Sequence, residues 1–183
     1  MSAAVVLLSG GIDSSTLLHY VCGTLDTPRV YALSFRYGQR HSRELEAAAA
    51  QAAQAGVKEH RVLDIPGFGS MMAEASALTD PYAAMPRLED LTVDERRQPP
   101  TYVPNRNMVL LSLAAAYAEA RQVADVYYGA QAQDEYGYWD CTTDFLDRIN
   151  RVLALNRRQA IRIHAPFVTK RKVDILRIGL DLG

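Results

Sequence analysis

Cysteine and tryptophan are scarce in this chain of 183 residues: there are two of the first and one of the second. Cys22 and Cys141 stand alone, neither in a CxxC pair, which excludes a disulfide scaffold and a structural zinc site. Two isolated thiols suit a reducing cytosol, so a cytoplasmic location is expected. No apolar run approaches the ~18 residues of a membrane span. The apolar stretch 3–8 has neither the basic start nor the cleavage region of a signal peptide. Neither sign of charge is in excess: 21 acidic against 20 basic residues leave a net charge of -1, without the basic footprint of a direct nucleic-acid binder.

What remains is globular. A content of 49% hydrophobic and 22% charged residues excludes disorder, collagen and coiled coil. At roughly 150 residues per domain, residues 1–183 are expected to form a single domain. Strand-like and helix-like stretches alternate. Strands are expected at 3–8, 30–35, 59–63, 125–129 and 161–164. Helices are expected at 14–25, 43–55, 107–121, 144–158 and 170–182. The first would bury Leu17, Leu18, Val21 and Cys22, the second would stop at Gly56, and the third, apolar nearly all round, would be buried. The fourth carries Phe145, Leu146, Ile149, Val152 and Leu153 on one side. A proline- and glycine-rich loop or flap insertion at about 64–104 breaks the rhythm, with one short helix expected at 70–77. It suits a substrate cover and an inert insertion equally. Repeated strand–helix units imply right-handed crossovers and an α/β fold, a five-stranded parallel sheet with helices on both faces. Ligands of such sheets bind at the carboxyl ends of the strands, near the switch in strand order.

The first of those ends carries Ser9-Gly10-Gly11-Ile12-Asp13-Ser14-Ser15. Two glycines permit positive φ and close approach of an anion. Two serine hydroxyls and the N–H groups of a starting helix favour phosphate. GxxxxGK[ST] and GxGxxG are both missing, which argues against a P-loop enzyme and a dinucleotide fold. Asp13 suits a phosphate–magnesium site or a helix N-terminus.

SGGIDS resembles the pyrophosphate loop SGGxDS of the PP-loop ATP pyrophosphatases, with their Rossmann-like adenine nucleotide alpha hydrolase fold. Four further segments narrow the likeness: 35–41 (FRYGQRH), 100–107 (PTYVPNRN), 134–141 (DEYGYWDC), and Ala165-Pro166 followed by Lys172. In this order they resemble the QueC family of 7-cyano-7-deazaguanine synthases, along nearly the whole chain. The resemblance implies an ATP-dependent ligase of queuosine biosynthesis that turns 7-carboxy-7-deazaguanine and ammonia into a nitrile. It implies that Ser9 to Ser15 hold ATP, with Asp13 near magnesium, and it suggests a homodimer. Arg106, Lys172 and His41 join Asp13 as candidate catalytic residues. Tyr37, Gln39, Asn107, Asp134, Tyr138, Asp140 and Cys141 are candidates for binding the acid.

Each has a plainer role open to it. Arg106-Asn107 could simply start a helix, Lys172 could be solvated beside Lys170 and Arg171, and His41 could hydrogen-bond within its loop. Cys141 reads as a packed thiol before a nucleophile, and His19, His60 and His164 read as structural. The family pattern near the acid is close to DxSGYPDCR; here Tyr136, Trp139 and Thr142 replace its Ser, Pro and Arg, and Asn105 stands where Gly is common. Trp139 and Tyr136 are expected to add bulk at the base site. Adenylation of another carboxylate or a partner, or nucleotide binding without catalysis, therefore stays open. The family's zinc-binding tail of four cysteines would follow 179–183 and is absent from this chain, so no zinc ligand is expected within it.

Overall fold

The computed structural model describes residues 2–38, 43–72, 75–76, 78, 92, 99–132 and 137–183. Five strands, β1 (Ala4–Leu7), β2 (Val30–Arg36), β3 (Glu59–Asp64), β4 (Asp125–Tyr127) and β5 (Arg162–His164), form one parallel sheet in the order β3-β2-β1-β4-β5. The chain builds outward from β1 to β3, then returns to the other side of β1 for β4. The switch in strand order therefore lies between β1 and β4, where the crossovers diverge and leave a crevice.

Helices cover both faces because the central strand is apolar on both. Along β1, Ala4, Val6 and Leu8 pack into one core and Val5 into the other, the period of two that a strand imposes. The first core takes α1 (Ile12–His19), α2 (Arg43–Gln54) and α6 (Lys172–Leu182) through Leu17, Leu18, Ala48, Ala52 and Ile175. The second takes α4 (Arg106–Ala120) and α5 (Thr143–Leu153) through Leu111, Ala114, Ala118 and Phe145. A short helix α3 (Phe68–Met71) follows β3.

The expected elements appear with displaced ends. The helix expected at 14–25 begins at Ile12 and widens after His19 into a π turn, Tyr20–Thr24, where the Tyr20 ring meets Phe167 edge-on at 5.5 Å. Cys22 is only half-buried there. The short helix is Phe68–Met71, and most of 73–98 lies outside the described residues. Apolar composition overstates the burial of α4: Met108 and Leu113 are 40% and 37% exposed, since a helix on a sheet has an outer face. The helix expected to reach 158 stops at Leu153, because the Asn156 side chain accepts the Arg158 and Gln159 N–H groups and forms a turn. Val152, expected on the packed side, is 64% exposed.

The three histidines read as structural have near partners: Gln51 for His19 at 2.8 Å, Ser34 for His60 at 2.8 Å and Asp125 for His164 at 2.7 Å.

Thr142 caps α5: its hydroxyl accepts the Phe145 N–H at 3.1 Å. Thr142→Ala is expected to lower the unfolding free energy by about 1 kcal/mol, while Thr142→Ser, which keeps the acceptor, stays near the parent. Urea unfolding of the three proteins measures this.

Candidate functional site

The loop between β1 and α1 is shaped by a relay of small groups. Ser14 Oγ donates to the Gly11 carbonyl at 3.0 Å, which uses its one hydrogen. It must therefore accept from the Ser9 N–H at 3.1 Å and from Ser9 Oγ at 2.9 Å. Ser9 Oγ in turn accepts the Gly11 N–H at 3.3 Å. Behind the turn, the Ser34 hydroxyl donates to the Leu8 carbonyl at 2.5 Å, so His60 must donate to Ser34. Burial lowers the pKa of His60, which keeps the ring neutral.

Gly10 has φ +87°, and a Cβ there would strike the Glu44 carbonyl and sit 2.8 Å from the Ala48 nitrogen. Only glycine lets the turn press against the backbone of α2. Across the switch point, a Cβ on Gly129 would lie 3.4 Å from the Ser14 nitrogen, so β4 also closes on the loop.

A cavity of about 530 Å³ opens here. It joins Asp13 of the loop to Tyr37, Arg106, Asn107, Tyr138 and Cys141. Four connections remote in sequence thus converge at the carboxyl ends of β1, β2 and β4.

Arg106 leads α4 from the left-handed turn at Asn105, φ 54°. Burial opposes its charge, but the hydrogen-bonded Tyr37 phenol and the Asp140 carboxylate outweigh this and hold its pKa above the usual arginine value. The cavity therefore keeps a fixed cation, suited to carboxylate or phosphate. Asp140 is 1% exposed and accepts the Asn107 backbone N–H at 3.1 Å. Asn107 Nδ2 donates to Cys141 Sγ at 3.2 Å. Asp140 is outside the cavity lining, next to Asn107, which is in it. Trp139 is also outside it, 45% exposed against Phe145 at 5.4 Å. The bulk expected from Trp139 is directed away from the cavity.

Of the loop, Ser9, Gly11 and Ser14 line the cavity beside Asp13; Gly10 supports α2 contact, Ile12 is 52% exposed and Ser15 is half-buried. Gln39, His41, Asp134 and Tyr136 lie outside the described residues. Thr101 and Gly129 line the cavity and were not singled out from the sequence, although Gly129 directly after a strand is a signal of close backbone approach.

Lys172, the first residue of α6, brings Nζ to 3.5 Å from Asp13 Oδ2. Asp13 Oδ1 is buried and has no hydrogen-bond partner. A buried carboxylate oxygen left open at a phosphate-type loop fits a divalent cation held with a polyphosphate. No group of three or more His, Cys, Asp or Glu that could hold a metal by itself occurs among the described residues.

Burial raises the pKa of Asp140, against the Asn107 amide and the Arg106 charge that lower it. The folded chain thus binds this proton more tightly than the unfolded chain. The stability this confers is greatest below the ordinary aspartate pKa and fades as pH rises through the folded value. Asp140→Asn, which keeps an oxygen for the Asn107 N–H, is expected to gain stability relative to the parent as pH rises from the acidic range to neutrality. Parallel pH profiles in urea unfolding would contradict this.

Comparison with known proteins agrees with this geometry. The model of the family described as "Queuosine biosynthesis protein QueC" matches residues 3–183. Proteins named 7-cyano-7-deazaguanine synthase are 44% identical in Thermosynechococcus vestitus, covering 98% of this chain and 77% of the relative, and 43% identical in a Marinomonas species, covering 98% and 78%. A Clostridium kluyveri protein of the same name is 38% identical over 100% of this chain and 80% of its own length. Among solved structures, the U34-tRNA thiolase NcsA of Methanococcus maripaludis superposes with a TM-score of 0.60 at 13% identity, covering 99% of this chain and 58% of that one. An NH3-dependent NAD synthetase of Campylobacter jejuni gives 0.56 at 17%, covering 99% and 63%. These two show a shared PP-loop fold and no more. The match across the chain, together with relatives above 40% identity, establishes that this chain belongs to the QueC family of queuosine biosynthesis proteins.

Proposed function

We propose that this chain is an ATP-dependent ligase that makes 7-cyano-7-deazaguanine from 7-carboxy-7-deazaguanine and ammonia, the product for which its relatives are named. One observation carries the reading: a single cavity joins the Ser9–Gly10–Gly11 turn to a wall bearing a buried arginine, an asparagine and a tyrosine.

In the first half of the reaction an acid oxygen bonds to the α-phosphorus of ATP and pyrophosphate leaves. Ammonia nitrogen then bonds to the carbonyl carbon, AMP departs with the original acid oxygen, and a proton is lost from nitrogen to leave the amide. In the second half the amide oxygen bonds to the α-phosphorus of another ATP and pyrophosphate leaves again. AMP leaves with that oxygen as nitrogen gives up its two protons, which leaves the carbon–nitrogen triple bond.

The N–H groups at the start of α1 suit the departing pyrophosphate, while the Ser9 and Ser14 hydroxyls, whose hydrogens are spent within the turn, hold its shape. A magnesium ion, when bound, supplies positive charge against the phosphates, and Asp13 is the residue that would hold it. Lys172 is within reach of the same carboxylate and suits charge developing on the leaving phosphate. Arg106 offers a planar fork to the acid's carboxylate or the α-phosphate. Asn107 and the Tyr138 ring suit the edge and face of a flat base. Gln39, Asp134 and His41 complete the proposed set, with Asp134 accepting base N–H groups and His41 taking the ammonium proton. Asp140 would act indirectly, by fixing Arg106 and the start of α4.

Exposed Val173, Leu176 and Leu180 on α6 support a homodimer contact. Two cysteines outside any disulfide and the use of ATP support a cytoplasmic setting. No helix among the described residues is long and apolar enough to cross a membrane.

Incubation with ATP, magnesium, ammonium and the acid is expected to yield nitrile by mass spectrometry. Binding of ATP with no nitrile formed would sink the assignment of the acid. Asp13→Asn and Lys172→Ala should each retain the parent circular dichroism spectrum while lowering kcat by about 100-fold or more. Parental turnover in Asp13→Asn would remove the phosphate-site assignment. Chelation by EDTA is expected to stop turnover, and added magnesium to restore it.

A further inference from the structure

Two segments remote in sequence, 101–107 and 138–141, build the Arg106 side of the cavity. They are joined by four side-chain hydrogen bonds that run in order. Thr101 Oγ1 meets Tyr138 Oη at 2.8 Å, and Trp139 Nε1 donates to Tyr102 Oη at 2.7 Å. The Asn107 N–H donates to Asp140 at 3.1 Å, and Asn107 Nδ2 donates to Cys141 Sγ at 3.2 Å.

The second rung differs from the rest. The Tyr102 hydroxyl also accepts the backbone N–H of Asn105 at 3.2 Å. Asn105 is the residue in left-handed conformation, and Arg106 follows it directly. Tyr102 is 8% exposed, so its oxygen collects both donors away from bulk water. Trp139 reaches in from the surface, with its ring held edge-on by Phe145. A residue without a side-chain donor at 139 would remove one of the two bonds that fix this phenol.

We propose that Trp139 and Tyr102 are positioning residues: the indole N–H, acting through the Tyr102 hydroxyl, holds the turn at Asn105 and so sets the direction in which Arg106 enters the cavity. The consequence for catalysis rests on the proposed function, with Arg106 engaging the acid's carboxylate rather than the α-phosphate.

The test uses Trp139→Phe, which keeps an aromatic ring against Phe145 and removes only the N–H, and Tyr102→Phe, which removes only the oxygen. Each is expected to raise KM for 7-carboxy-7-deazaguanine by about two- to tenfold, the range of one net hydrogen bond, with KM for ATP unchanged. The double variant should be no worse than Tyr102→Phe alone, because that change already removes the acceptor of the Trp139 bond. Unchanged KM for the acid, equal changes for both substrates, or additive effects would overturn the proposal. A second readout needs no turnover. Cys141 lies on the same wall, and its alkylation by iodoacetamide, followed by peptide mass to separate it from Cys22, should quicken severalfold in both variants. In Tyr102→Phe the emission of Trp139, the one tryptophan, should also shift to the blue. Parental alkylation rates would refute the link even if the acid proved to be another compound. Absence of nitrile from the parent protein would count against the proposed function alone.

Discussion

One serine hydroxyl holds the nucleotide-type loop in shape. Ser14 spends its hydrogen on the Gly11 carbonyl and accepts two donors from Ser9, so a turn with no large side chain is still rigid. In this loop the Ser9 and Gly11 N–H groups turn inward onto serine oxygens, so it is not stiffened by ordinary ladder bonds. Here the stiffness comes from hydroxyls within the turn and from contact with neighbouring backbones. Gly10 lies against α2, and Gly129 lies against Ser14. The absence of a side chain at Gly10 is what lets the turn meet α2, while Gly129 brings the chain after β4 into ordinary contact with Ser14.

The charges in the cavity follow from the same convergence. Asp13 is placed by α1, Lys172 by the start of α6, and Arg106 by the start of α4. Burying a guanidinium is costly unless acceptors surround it, and Tyr37 with Asp140 supply them. Burial raises the pKa of Asp140, and the Asn107 N–H and the Arg106 charge work against that rise. The proposed chemistry needs cations beside two negatively charged substrates, and this is a site where the cation survives burial.

The residues at 105, 139 and 142, where the sequence resemblance is weakest, each have a local role. Thr142 is a helix cap, Asn105 occupies the left-handed turn that glycine would otherwise favour, and Trp139 donates to Tyr102. Each has a local structural partner, and Trp139 is directed away from the cavity.

Much of the architecture was readable from the chain alone. Strand and helix order follow from apolar periodicity, and the parallel sheet follows from their alternation. The resemblance of SGGIDS and the four other segments pointed to the family, and the structure brings Tyr37, Arg106, Asn107, Tyr138 and Cys141 to one cavity with Asp13. Element ends were less readable: Asn156 halts α5 through a side-chain bond that competes with the helix, which periodicity does not register. The outward face of α4 was likewise hidden, because alanine and leucine look alike to a hydropathy pattern whether they meet the sheet or water. Residue identity determined which chemistry is available: a glycine turn, a carboxylate, a lysine and an arginine. Which of these groups face the cavity was decided by packing, as with Asp140 and Trp139 outside its lining. Orientation depends on contacts between residues more than 30 positions apart, and linear spacing carries no record of them.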